Sequence, residues 1–241
     1  MPETLTTDRL TLRTFVDEDA DALFDLHSRP EVQRWIGDGQ PMTDVAEARA
    51  SIPRRRDVPY PPPQGIWAID LADRFVGTLL LKPIPISGSA LAADPRNPEL
   101  ALDSPEVEIG WHLHPDVWGR GIATEAATRV LDHAADLPRV VAVTHPDNEA
   151  SQRVARRLGM RDEGLTDRYY DTTTRLFVLE RGPRRCSCEA RRHDRPRPAR
   201  DRGGTPLRRD ARRPAGGGHD PGRRGRPGPA GVRQDDTGAP A

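Results

Sequence analysis

Cysteine is nearly absent from these 241 residues: there are two, Cys186 and Cys188, and both lie beyond the part of the chain that shows apolar patterning. A disulfide framework is therefore excluded for the fold, and a cysteine nucleophile is not expected. No apolar run approaches the roughly 18 residues that a membrane helix needs, and the N-terminus has no apolar signal region, so no membrane partner and a cytoplasmic location are expected. Aromatic residues make up only 5% of the chain, and none of them follows residue 181. Net charge is absent as well, but that zero is a cancellation. Residues 182–241 hold 16 Arg against 7 Asp/Glu, whereas residues 1–181 hold 21 Lys/Arg against 30 Asp/Glu. An acidic body raises the local concentration of cationic ligands such as amines; a solvated acidic surface is the equally weighted plain reading.

The basic end cannot fold by itself, because Arg, Gly, Pro, Ala and Asp bury too little apolar area to offset chain entropy. Its phosphate-binding potential is offset by interspersed acids and by the lack of any ring for base stacking, so nucleic acid is not expected as a partner. Arg, Gly, Pro and Ala are also what GC-rich codons yield in a wrong frame. The expectation is thus a single domain over residues 1–181 followed by a disordered extension over 182–241, read as a frameshifted or read-through end.

What is present is concentrated between Val107 and Gly159. Val107, Ile109, Trp111 and Leu113 alternate with Glu108, Gly110, His112 and His114, which predicts a strand with one packed face. Trp118-Gly119-Arg120-Gly121-Ile122-Ala123 follows, and then Ile122, Ala123, Ala126, Ala127, Val130, Leu131 and Ala134 recur at helical spacing up to a stop near Pro138. Two glycines before a helix leave amides without carbonyl partners at the positive end of the helix dipole, a cradle for an anion such as a pyrophosphate. The segment lacks the Lys-Ser/Thr of a Walker A loop and the third glycine of a dinucleotide fingerprint. Val140 to Val143 reads as a buried parallel strand, Asn148 as the N-cap of a further helix, and Gly159 as its C′ residue. Two helix N-termini then face one edge of the sheet.

These stretches, EIGWHLHPDVWGRGIATEA and HPDNEASQRVARRLGM, together with the opening TDRLTLRTFVDEDADALFDLHSRPEVQRWIG, resemble the GNAT superfamily of acetyl-CoA-dependent N-acetyltransferases and, within it, the RimJ/RimL-like branch. The resemblance implies an α/β fold, a mixed and mainly antiparallel sheet of about seven strands splayed at its central parallel pair, with helices on both faces. It implies acetyl-CoA as cosubstrate without a metal, and an amine acceptor that is a peptide N-terminus or a small molecule. It also implies a monomer or homodimer. Trp118, Gly119, Arg120, Gly121, Ile122 and Ala123 would hold the pyrophosphate. The edge of the strand ending at Leu113 would pair with pantetheine, and Asn148 and Ser151 would meet the pantetheine arm and thiol. Two positions depart from the broader pattern: Trp118 stands where Gln or Arg is common, and Ala155 where many members carry a Tyr that protonates the leaving thiolate. Ser151 or water is left for that step. Ala155 also keeps open a different class of function, a non-catalytic acyl-CoA-binding regulatory module.

The chemistry so implied is direct attack of a neutral amine on the thioester, with Glu108 as the expected general base, directly or through water, and a backbone amide of its strand for the oxyanion. The plain alternative for Glu108 is a partner for a neighbouring Arg. His112 and His114 read as core or solvated histidines rather than metal ligands, since no third ligand accompanies them. Trp35, Tyr169 and Tyr170 line the acceptor site or serve as packing aromatics. The N-terminal half should contribute a strand at Leu10 to Arg13, a helix over Asp17 to Ser28, a second helix from Thr43 or Asp44, and strands at Gly65 to Asp70 and Phe75 to Leu81. Residues 53–63 read as loop from their prolines, and the connection from Pro83 to Pro105 as a border of the acceptor pocket.

Overall fold

The structure, a computed structural model, describes residues 2–88 and 104–181. The basic extension, both cysteines and most of the Pro83–Pro105 connection lie outside them. Eight strands form one sheet in the order β1-β2-β3-β4-β5-β6-β8-β7. They are β1 (Leu5–Thr6), β2 (Leu10–Arg13), β3 (Gly65–Leu71), β4 (Arg74–Pro83), β5 (Val107–Leu113), β6 (Arg139–Thr144), β7 (Arg161–Thr166) and β8 (Thr174–Glu180). Every pairing is antiparallel except β5 with β6. The sheet thus has one strand more than expected. β1 has two residues and β7 reads RDEGLT, both too short or too polar to show apolar alternation.

The helices are α1 (Ala20–His27), α2 (Pro30–Gln33), α3 (Val45–Arg56), α4 (Ile122–His133) and α5 (Glu149–Arg157). The period of two along each strand sends alternate side chains to two cores. On β3, Trp67 and Ile69 join Leu79 and Leu81 of β4, Ile109 of β5 and the apolar stripe of α4. Ile66 and Ala68 turn the other way, to Leu23 of α1, Ala48 and Ile52 of α3, and Phe15. The central strands are therefore covered on both faces.

Three boundaries differ from the sequence reading. Residues 53–56 continue α3, because proline lacks the amide donor but not the helical φ, and Pro53 sits on the exposed side while Ile52 anchors the core. A capping box at Asp44 and Glu47 supports the other end, with Asp44 accepting the Ala46 amide at 2.7 Å. The Asp17 to Ser28 helix opens as a 3₁₀ turn over Asp17–Asp19 before α1 begins. α4 stops at His133, short of Pro138, whose carbonyl instead receives the Arg181 amide at 2.8 Å.

Candidate active site

The predicted cradle is built at the edge where β5 and β6 both end. Gly119 and Gly121 adopt φ of 72° and 78°, the left-handed region in which a side chain is strained. Gly121 is the N-cap of α4, and the first amide of that helix to find a carbonyl is Glu125, on Gly121 at 3.0 Å. The preceding amides have no backbone acceptor, and they gather at the positive end of a twelve-residue helix. Arg9 fixes the loop from outside: its Nη1 and Nη2 each donate to the Arg120 carbonyl at 3.3 Å, and its Nε donates to Glu125 at 2.7 Å. Holding that carbonyl back leaves the amides facing away from it. Trp118 is exposed, yet its indole Nε1 donates to the Leu113 carbonyl at 2.8 Å and ties the loop to β5. The Leu113 side chain itself lies in the core.

The second helix N-terminus comes next to it. Asn148 is buried and caps α5 by accepting the Ser151 amide at 3.1 Å through Oδ1. Among the described residues its Nδ2 and the Ser151 hydroxyl make no hydrogen bond. α5 closes with paired C-terminal bonds, Gly159 to the Arg156 carbonyl at 3.1 Å and Met160 to the Ala155 carbonyl at 3.2 Å, as in a Schellman motif. Ala155 is fully buried in the core behind the helix.

Between these N-termini the parallel pair opens. The only register shared by β5 and β6 is Glu108 with Val141, so from Ile109 onward the backbone edge of β5 has no ladder partner. Glu108 stands at that fork. It is 5% exposed, and it faces Lys82 directly across the β4–β5 ladder, with Nζ 2.6 Å from Oε1. Tyr170 also donates to Oε1, and burial together with the Glu108 charge holds its phenol well above the ordinary tyrosine range, so the proton stays on tyrosine. Among the described residues none donates to Oε2. The partner of Glu108 is thus a lysine, where an arginine was the expected structural alternative.

The polar side of β5, read as the strand's outer face, meets α1. His112 packs edge-on against His27 of α1 with ring centroids 5.5 Å apart. Burial and the nearby His27, Arg55 and Lys82 push the His112 pKa far below the usual value, so it is neutral. His114 accepts the Asp116 amide through Nδ1 and donates to Asp25 through Nε2 at 3.1 Å. Among the described residues no cluster of His, Cys, Asp and Glu is arranged to hold a metal. Trp35 contacts His145 beyond β6 at 5.3 Å, joining the α2 side to the α5 side across the opening. Tyr169 is fully buried and donates to Glu106, a packing role. Sequence reasoning passed over Arg9, Arg55, Tyr60 and Lys82. The last had a signal available, being the chain's single lysine.

The model of the acetyltransferase (GNAT) domain matches residues 9–161. The chain is 33% identical over 190 residues to the uncharacterized N-acetyltransferase YoaA of Bacillus subtilis, covering 73% of this chain and 97% of that one. Among solved structures it is similar to Mycobacterium smegmatis RimJ in complex with CoA-disulfide, with a TM-score of 0.56 at 24% identity over 74% of this chain and 88% of that one. It is similar also to RimL, a ribosomal L7/L12 alpha-N-protein acetyltransferase in complex with coenzyme A, with a TM-score of 0.57 at 21% identity over 74% and 98%. This chain belongs to the GNAT acetyltransferase family, and its activity is acetyl-CoA-dependent acyl transfer. Among the described residues no helix is long and apolar enough to cross a membrane.

Proposed function

We propose that this protein transfers the acetyl group of acetyl-CoA to a primary amine by direct attack, without an acyl-enzyme. The observation that carries the reading is the fork at Glu108, a buried carboxylate with one free oxygen beside an unpaired strand edge and two helix N-termini. The amides after Trp118 suit the pyrophosphate, the free edge of β5 suits the amide groups of pantetheine, and Asn148 Nδ2 suits the same arm. The acceptor enters from the α1 and α3 side, where its ammonium meets Glu108. Glu108 Oε2 takes the proton, directly or through a water, and Lys82 and Tyr170 keep the carboxylate aimed by holding Oε1. The amine then adds to the thioester carbonyl, whose oxyanion is stabilised by a β5 amide, and the thiolate departs with a proton from the Ser151 hydroxyl or from water. The catalytic domain ends with β8 near Arg181, and the reaction takes place in the cytoplasm.

Release of free thiol from acetyl-CoA, measured with and without amines, tests this. The panel should include peptides with ribosomal-protein N-termini, the acceptor type named for the RimL neighbour, beside aminoglycosides and simple amines. Amine-dependent release with an N-acetyl product is expected. Tight acetyl-CoA binding with no amine-dependent release would leave a non-catalytic acyl-CoA-binding module, consistent with the absence of a phenol at Ala155.

A further inference from the structure

On the acceptor side, unsatisfied polar atoms collect in one place. Arg55 projects from the last turn of α3, where its Nη1 donates to the Ser51 carbonyl at 3.2 Å and its guanidinium lies over Phe15 at 5.9 Å. Among the described residues it has no carboxylate partner. It is half-buried, and desolvation together with Arg54 pushes its pKa down to about 10. Around it, Tyr60 Oη, His112 Nδ1, His27 Nε2 and Thr78 Oγ1 are all buried without a hydrogen-bond partner. Thr78 and His112 are cross-strand neighbours, and His27 meets His112 ring to ring. Arg55 lies within electrostatic range of His27, His112 and Tyr60, and Tyr60 in turn within range of Glu108.

Buried polar groups in native proteins are paired, so four buried atoms without partners beside a half-buried guanidinium that meets no carboxylate among the described residues point to a ligand-binding surface. The charges say what kind of group. Gln33 gives its amide to the Ile36 carbonyl, so its Oε1 accepts from His27 Nδ1, and both histidines are neutral. Lys82 is already neutralised by Glu108. Among the described residues, Arg55 is therefore the one uncompensated charge on this side of the fork. Its planar fork matches a carboxylate, with the Tyr60 hydroxyl as an added donor.

We infer that the acceptor is an amine that also carries a carboxylate: the carboxylate sits on Arg55 and Tyr60 while the amine reaches Glu108 at the fork. This rests on the proposed amine acetylation and narrows its substrate class. The chemistry is shared by a free amino acid and by a peptide N-terminus with an acidic side chain.

Three measurements on the full chain decide it. The first compares acceptors that differ only in the carboxylate: γ-aminobutyrate against n-butylamine as small molecules, and Ser-Asp against Ser-Asn N-termini as peptides. At least a tenfold higher kcat/KM for the carboxylate-bearing member of a pair is expected, and the pair that shows it names the source. The second repeats this with Arg55→Gln and Arg55→Lys. Gln should erase the preference through KM while leaving acetyl-CoA affinity unchanged, and Lys should restore part of it. The third titrates succinate and follows the His27 and His112 imidazole resonances, which should move in the wild type and in Tyr60→Phe with weaker affinity, but not in Arg55→Gln. Succinate binding without turnover of any amine would sink the transfer reading and keep the carboxylate site. Equal rates within both pairs, or a succinate response that Arg55→Gln leaves intact, overturns the inference.

Discussion

Lys82 and Glu108 oppose each other across the β4–β5 ladder, a buried ion pair with 2.6 Å between Nζ and Oε1 at the residue where β5 is ladder-paired to β6. Because Tyr170 shares the same oxygen, one half of the carboxylate is fully occupied and the other half is left for chemistry. Glu108→Gln keeps the size of the side chain and can still accept from Lys82 and Tyr170, but it cannot take a proton. Acetyl-CoA affinity should be unchanged while kcat falls by about 10²-fold or more, with partial recovery at high pH where more free amine exists. Wild-type kcat from pH 6 to 9 would return Glu108 to a purely structural pairing.

Gly121 tests the cradle. A Cβ placed there meets only Arg9 Nη2 at 3.8 Å, so crowding by the protein is not the obstacle; the φ of 78° is. Gly121→Val should cost about 1 to 3 kcal/mol of backbone strain or displace the loop amides, and either way weaken acetyl-CoA. Calorimetric titration of a folded variant with undiminished affinity would remove this loop from the cofactor site.

Asn148 combines a cap with a free amide. Asn148→Ala should lower stability by about 1 kcal/mol, the usual loss for an N-cap, and also raise the KM for acetyl-CoA. A stability loss with KM unmoved would confine the residue to capping.

His27 gives the fold a pH dependence of defined sign. Burial and the nearby Arg55 push its pKa down to about 4 from an ordinary value of 6.5. Below pH 6.5 the unfolded chain binds a proton that the folded chain refuses, so stability is complete above that pH and is lost as pH falls toward 4. Between pH 7 and pH 5 the loss from this group is about 2 kcal/mol, and His112 acts in the same direction. Denaturant melts at the two pH values should show the loss in the wild type and a smaller one in His27→Gln. An equal loss in both would assign the acid sensitivity to carboxylates instead.

The central strands, the glycine turn and the helix caps were legible in one dimension because each depends on neighbours a few residues away, whereas β1, α2 and β7 were too short or too polar to show. Period-two alternation found β5, and helical spacing found α4. The caps at Asn148 and Gly121 follow from side chains and φ values that are local properties. Where a local rule was over-applied, as with Pro53, a long-range contact decided otherwise: Ile52 in the core kept the helix going. Whole-body acidity was a poor guide to the acceptor chamber, whose uncompensated charge is a cation. What pairs with what across the sheet is not local. That Glu108 faces Lys82, 26 residues earlier, and Tyr170, 62 later, depends on strand register. Arg9 reaches the glycine loop over 111 residues. Arg55, one of three consecutive arginines, differs from its neighbours because the fold lays it over Phe15 beside His27 and His112, half-buried and with no carboxylate partner among the described residues. Desolvation is a property of the assembled interior, so the charge that selects the substrate was decided by the tertiary structure alone.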